Sequence, residues 1–248
     1  KIFGFKPEGM WPSEGSVSYE ILPLIMEAGI KWIASDEEIL SNSLKRPLRR
    51  DTSGNCHDAF LYKPYAIDIG GERLSIVFRD HMLSDLIGFD YAKMNPDDAV
   101  DDFIRRLMHV HGLFEEPEKH IVSIILDGEN AWENFINDGR DFLRALYSKL
   151  SSHPRIKCVT VGEFLDSAPY REELKWLYPG SWISHNFKIW IGHHEDNTAW
   201  DYIAEARSAL VRFEESALPD TLTAEKKLHL KEAWSEIYAA EGSDWFWW

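Results

Sequence analysis

Ile121-Val122-Ser123-Ile124-Ile125-Leu126-Asp127-Gly128-Glu129-Asn130 is a nearly unbroken aliphatic run that stops abruptly in carboxylates. Such runs belong to strands covered on both faces, as in parallel sheets flanked by helices. Working outward, the same grammar recurs. Ile30-Lys31-Trp32-Ile33-Ala34 and Leu74-Ser75-Ile76-Val77-Phe78 read as strands, the second ending in Arg79-Asp80, and Ile156-Lys157-Cys158-Val159-Thr160-Val161 reads as the last. Residues 60–67 are also strand-like, set off by Gly70-Gly71, and Ile2-Phe3-Gly4-Phe5 reads as a strand feeding a loop with Trp11 and Glu14.

Helices fall between these runs. Ser16 or Ser18 is placed to cap one that Gly29 ends, and Asn95-Pro96 starts another that reaches Gly112. A third is expected over about 139–150, and two long ones over about 197–216 and 223–240. The basic stretch with Lys45, Arg46, Arg49 and Arg50 reads as a helix and an exposed loop. Alternating strands and helices with polar residues at strand ends predict an α/β class with parallel strands, whose catalytic groups gather at the carboxyl ends. A partial barrel over 1–178 and a C-terminal helical domain over 179–248 contributing to the site are expected.

Composition narrows the partners. With 42 acidic and 27 basic residues the formal charge is −15, which repels nucleic acid and anionic membranes. No apolar run is long enough to span a bilayer. The 11 tryptophans suit stacking against sugar rings, although core packing competes for each. Cys56 and Cys158 form neither a disulfide framework nor a C-x-x-C pair, so a reducing, cytoplasmic setting is the default.

Cleavage of a glycosidic bond with retention needs one ionised carboxylate as nucleophile and a second, protonated one as acid, about 5–5.5 Å apart. Glu14 and Asp127 are the candidates, and a lone loop Glu or an Asp-Gly turn would not suffice. Their surroundings decide. Gly9-Met10-Trp11-Pro12-Ser13-Glu14-Gly15-Ser16-Val17-Ser18 and Leu126-Asp127-Gly128-Glu129-Asn130-Ala131-Trp132-Glu133 resemble the nucleophile and acid/base motifs of glycoside hydrolase family 57, particularly its amylopullulanase-like members. Trp32-Ile33-Ala34-Ser35-Asp36-Glu37-Glu38, Phe78-Arg79-Asp80, the stretch from Gly180 to Trp200 and the C-terminal Glu241-Gly242-Ser243-Asp244-Trp245-Phe246-Trp247-Trp248 fit the same family.

The resemblance implies part of a (β/α)7 barrel followed by a helical domain, a retaining mechanism without cofactor, and α-1,4 or α-1,6 glucan substrates. It makes Glu14 the nucleophile and Asp127 the general acid/base. Asp127 then has to keep its proton near neutral pH, through burial or the nearby charge of Glu14 and Glu129.

Other residues are candidates for substrate binding. Glu129 can orient a sugar hydroxyl or tune Asp127, with a structural bond as the competing reading; for Arg79 beside Asp80 a buried ion pair competes. Trp11, Trp132, Trp182 and Trp190 are candidate stacking platforms, and His185 a candidate donor. His193-His194-Glu195 lacks helical zinc spacing, so no metal is expected.

The family's first motif, a His-Gln-Pro strand, is not in this sequence. A barrel without its first strands exposes an unpaired edge, so self-association through that edge is expected alongside the glucan partner. Three alternatives remain: a non-catalytic glucan-binding fragment, an α-glucanotransferase or branching enzyme, and a metal-dependent sugar deacetylase.

Overall fold

The computed structural model describes residues 4–128, 132–168, 170–216, 223–242 and 244–247. It divides into two compact units, 1–185 and 186–248.

The first unit is built on a five-stranded sheet: β1 (Gly9–Met10), β2 (Trp32–Asp36), β3 (Tyr65–Ile69), β4 (Glu72–Arg79) and β5 (Glu172–Glu173). Their spatial order is β1-β2-β4-β3-β5. The β1-β2, β2-β4 and β3-β5 pairs are parallel, as expected. The β3-β4 pair is antiparallel, because Gly70 and Gly71 both hold positive φ and close a hairpin that no helix interrupts. Five named strands and the surrounding helices make an α/β fold, and the core is aliphatic and aromatic: Ile33, Ile67, Leu74, Ile76, Tyr65 and Phe78 are fully or almost fully buried.

Several expected elements shift. Gly4 and Phe5 form a bend, Phe5 is exposed, and the edge strand is Gly9–Met10 instead. Residues 1–3 lie outside the described residues. Helix α1 (Leu22–Glu27) starts later than the serines suggested, with Pro23 in its first turn. Helix α2 (Glu37–Leu44) follows β2 directly, its first turn capped by the Asp36 carboxylate through Glu38 N–H at 3.2 Å. Helix α3 (His81–Asp85) follows β4 in the same way, capped by Asp80. Helix α4 (Pro96–His111) matches its start and stop signals, with the Asn95 side chain accepting from Asp97 N–H. Helix α5 (Arg140–Ser152) also falls where expected.

The deciding run 121–126 does lie beside β4, but as one parallel bridge, Arg79 to Ser123, instead of a full ladder. The reason is competition for the edge of β4. Strand β3 occupies it up to Ile76, so only the last residues of β4 are left for pairing. Asp80 N–H donates to the Ser123 carbonyl at 3.0 Å, and Ile121 N–H to the Tyr62 carbonyl at 2.8 Å.

The run 156–161 is not a strand. Thr160 caps α6 (Val161–Ser167) in a reciprocal box with Glu163, and Val159 is exposed.

The second unit contains α7 (His194–Ser216) and α8 (Ala224–Ala240), the latter capped by Thr223. The two helices contact each other, and neither has a buried residue. Trp200 lies 5.7 Å from Trp245 and donates from Nε1 to the Trp190 carbonyl, giving this unit a small aromatic cluster.

Candidate active site

Sheet register brings the acidic strand ends to one side. Met10 is level with Ile33, Asp36 with Arg79, and Arg79 with Ser123. Glu14, Asp36 and Arg79 therefore follow or finish parallel strands at their carboxyl ends, and Asp127 follows the segment bridged in parallel to the end of β4.

Glu14 sits in a single 3-10 turn, Ser13–Gly15, with φ 57°. A left-handed conformation costs a non-glycine residue about 1 kcal/mol or more, so something must hold it there. Three contacts do. The Ser35 hydroxyl donates to the Gly15 carbonyl at 2.8 Å, Trp182 N–H donates to the Glu14 carbonyl at 3.1 Å, and Trp182 Nε1 donates to Glu14 Oε2 at 2.8 Å. Gly15, also at positive φ, is pressed against the Trp11 ring so closely that a Cβ would lie 2.6 Å from it. Trp11 is thus the backing of the Glu14 turn. Trp182 donates directly to the Glu14 carboxylate and so helps to orient it.

Arg79 is the hub. Its guanidinium lies over the Trp182 ring at 5.4 Å, its Nε donates to the Ile125 carbonyl at 2.9 Å, and its terminal nitrogens reach Asp85 at 2.5 Å and Asp36 at 3.5 Å. One buried side chain so ties the tryptophan that holds Glu14 to the bridged segment that leads into Asp127. His81 closes the cluster, with Nδ1 3.3 Å from Asp36 Oδ2 and Nε2 2.7 Å from Asp85 Oδ2. Hydrogen bonds to Asp36 and then Asp85 push His81 up to about 10, against the opposing effect of burial. Burial would raise Asp85, but the bonds from His81 and Arg79 outweigh it and hold the carboxyl below its ordinary range.

Asp80 points elsewhere. It accepts from the Tyr62 hydroxyl at 2.7 Å, from Leu83 N–H and from Arg50. Arg50 also pairs with Glu37, so part of the basic stretch expected on the surface is in a buried ion-pair group. The physical reason is that Glu37 and Asp80 are both buried and need a counter-ion. Burial pushes Glu37 up to about 7 despite the pull of Arg50.

The remaining candidates spread out. Asp127 is exposed and has no hydrogen-bond partner among the described residues; Glu129 lies outside the described residues. Trp132 packs under its own loop, 5.7 Å from Phe135 and against Gly139, and so belongs to the core margin. His185 is half-buried at positive φ, its carbonyl close against Gly180. Trp190 is buried in the second unit. Asp36, His81 and Asp85 were not singled out as site residues, although the i, i+4 spacing of His81 and Asp85 on α3 was a readable signal.

A mostly parallel sheet that collects carboxylates and a guanidinium at one end is the layout of an α/β enzyme of the barrel type. The sequence model of glycosyl hydrolase family 57 matches residues 1–176, and the chain belongs to that family. An α-amylase of Pyrococcus abyssi (strain GE5 / Orsay) is 24% identical over 196 residues, which cover 72% of this chain and 26% of the amylase. A branching enzyme of Thermococcus kodakaraensis, solved in complex with glucose and additives, superposes with a TM-score of 0.73 at 15% identity, over 98% of this chain and 54% of that one. A branching enzyme of Pyrococcus horikoshii gives 0.65 at 16% identity, over 91% and 46%. These likenesses establish the fold, that of the (β/α)7 enzymes of the family. This chain spans from about a quarter to about half the length of these relatives.

Proposed function

We propose that this chain carries the catalytic carboxylates of a retaining α-glucan-processing enzyme, with Glu14 as nucleophile and Asp127 as general acid/base. The observation that carries the reading is the linkage through Arg79: Glu14 is oriented by Trp182, and the guanidinium over that ring also grips the carbonyl of Ile125, just before Asp127.

In the first step a Glu14 oxygen attacks the anomeric carbon while Asp127 gives its proton to the departing glycosidic oxygen, so the C–O bond breaks as the glycosyl ester forms. In the second, the Asp127 carboxylate takes a proton from water, the resulting nucleophile attacks the same carbon, and Glu14 leaves. The two carboxyls have to come to about 5–5.5 Å of each other around the sugar. Hydrolysis is the leading assignment, given the amylopullulanase-like wording around both residues and the amylase relative. Transfer or branching uses the same intermediate with a sugar hydroxyl in place of water, and the branching-enzyme neighbours make it the second reading.

The test is release of reducing sugar from starch and pullulan, in the presence of EDTA, by the chain and by Glu14→Gln and Asp127→Asn. Each variant should lose at least about a thousandfold in turnover while staying folded. Near-normal turnover in either removes the role assignment. Binding without turnover by the unaltered chain favours a glucan-binding fragment, and activity abolished by the chelator while the chain stays folded favours the deacetylase. Longer as well as shorter products from maltooligosaccharides identify transfer.

A further inference from the structure

A small hairpin packs on helix α4. Arg50 and Cys56 form its antiparallel bridge, and His57 N–H donates to the Arg49 carbonyl at 2.9 Å. Asp51 shapes the turn by accepting from Ser53 N–H and Asn55 N–H. The hairpin is docked by Arg106 of α4, which donates to the Ser53 carbonyl at 2.6 Å and to Asn55 Oδ1 at 3.1 Å. His109 lies three residues further along α4, hence on the same face.

That docking brings three metal-type donors together. One ligand atom each of Asp51, His57 and His109 lies within 4.8 Å of the other two. The His57 and His109 rings meet edge to face at 5.1 Å, and His57 Nε2 is 3.9 Å from Asp51 Oδ2. A weak histidine-carboxylate pair would account for the last distance alone. It does not account for His109 Nε2, which is buried and has no hydrogen-bond partner among the described residues. A buried polar atom left unpaired costs about 1–3 kcal/mol, and a ligand that takes its lone pair removes that cost.

We propose that Asp51, His57 and His109 form a three-ligand site for a divalent transition metal of the zinc type, with water completing a tetrahedron. Two imidazoles and one carboxylate are a borderline donor set that suits zinc, cobalt or nickel better than calcium or magnesium. Bonds of about 2.0–2.2 Å place tetrahedral donors about 3.4 Å apart. The present spacing therefore closes by about 1 Å on binding, a movement that side-chain rotation at the exposed His57 supplies. The role is structural. The metal clips the hairpin to α4, and the same hairpin delivers Arg50 to Glu37 and Asp80. It takes no part in sugar chemistry, so it stands or falls separately from the assignment of Glu14 and Asp127.

The experiment uses the whole chain, stripped with chelator and titrated with Co2+. One equivalent should produce the visible absorption of a tetrahedral site, and Zn2+ should displace it and raise Tm. His57→Ala and His109→Ala should each abolish the band or weaken affinity at least about tenfold, whereas a His193→Ala/His194→Ala double variant keeps it. Far-UV circular dichroism confirms folding, and His57, being exposed, provides the substitution least able to unfold the chain. Absence of a band, its unaltered persistence in either His57→Ala or His109→Ala, or its loss in the double variant would each overturn the site.

Discussion

The Glu14 turn, just after β1, and the Asp127 turn, after a segment bridged once to β4, are built differently. Glu14 is locked: a left-handed backbone, a glycine pressed on Trp11, a serine hydroxyl on the next carbonyl, and an indole N–H on the carboxylate. Asp127 follows a segment tied to β4 by a single bridge, and its carboxyl is exposed. The contrast matches the two tasks of the proposed reaction. A nucleophile gains from fixed geometry, because attack needs a near-attack distance and angle. A group that first gives and then takes a proton must meet a leaving oxygen and later a water. Arg79 touches both halves of this arrangement.

That makes Arg79 the place to break the comparison with the largest effect on the fold. Arg79→Met leaves Asp36, fully buried, without its guanidinium. Removing one partner from a buried ion pair costs about 3–5 kcal/mol. Urea denaturation should show a loss of that size, and Arg79→Met combined with Asp36→Asn should recover part of it. A loss below about 1 kcal/mol would mean that Arg79 is not the tie between the two turns.

A smaller change sharpens the contrast on the Glu14 side alone. Trp182→Phe keeps a ring beneath Arg79 but removes the donor to Glu14 Oε2. A hydrogen bond to a charged group contributes about 1.5–3 kcal/mol, so kcat should fall about 10- to 100-fold with KM little changed. A Trp that only stacks on sugar would give the reverse pattern, a raised KM with kcat preserved. Steady-state kinetics on a maltooligosaccharide separates the two.

How much of this was legible in the sequence depends on the range of the interaction. Helix α4 was readable because Asn95, Pro96 and Gly112 act within a few residues of themselves, and Arg79 at the end of β4 was readable for the same reason. The wording around Glu14 and Asp127 marked both acids through the family resemblance. What escaped was set by register. Asp36 meets Arg79 only because β2 and β4 pair in parallel with those two residues level, and Arg50 reaches Glu37 and Asp80 only because a hairpin folds back over them. A basic composition says nothing of such burial. Residues 156–161 do not form the strand that their aliphatic content favours, because the Thr160 and Glu163 capping box, a purely local signal, starts a helix at Val161.

The mildest probe of the Arg79 cluster is pH, acting through His81. Its folded value is raised to about 10, by Asp36 first and Asp85 second, from an ordinary value near 6.5. The protonated ring is therefore favoured in the folded chain, and the stabilisation is complete below about pH 6.5 and lost as pH rises toward 10. Glu37 acts in the same direction: a carboxyl pushed up by burial penalises the fold once it ionises, so stability falls as pH climbs from about 4.5 through 7. Asp85 has the opposite sign, being held low, and its contribution disappears only in acid. Stability measured by urea denaturation should accordingly decline across the alkaline limb. His81→Gln isolates the histidine part: the gap between the two proteins should be widest near pH 6 and should close as pH approaches 10. Because the His81 ring is 41% exposed, salt and solvent temper the effect, which makes it smaller than that of Arg79→Met. A gap that stays constant from pH 6 to 10 would show that His81 is held by packing alone and that its carboxylate partners contribute nothing to the rigidity of this end of the sheet.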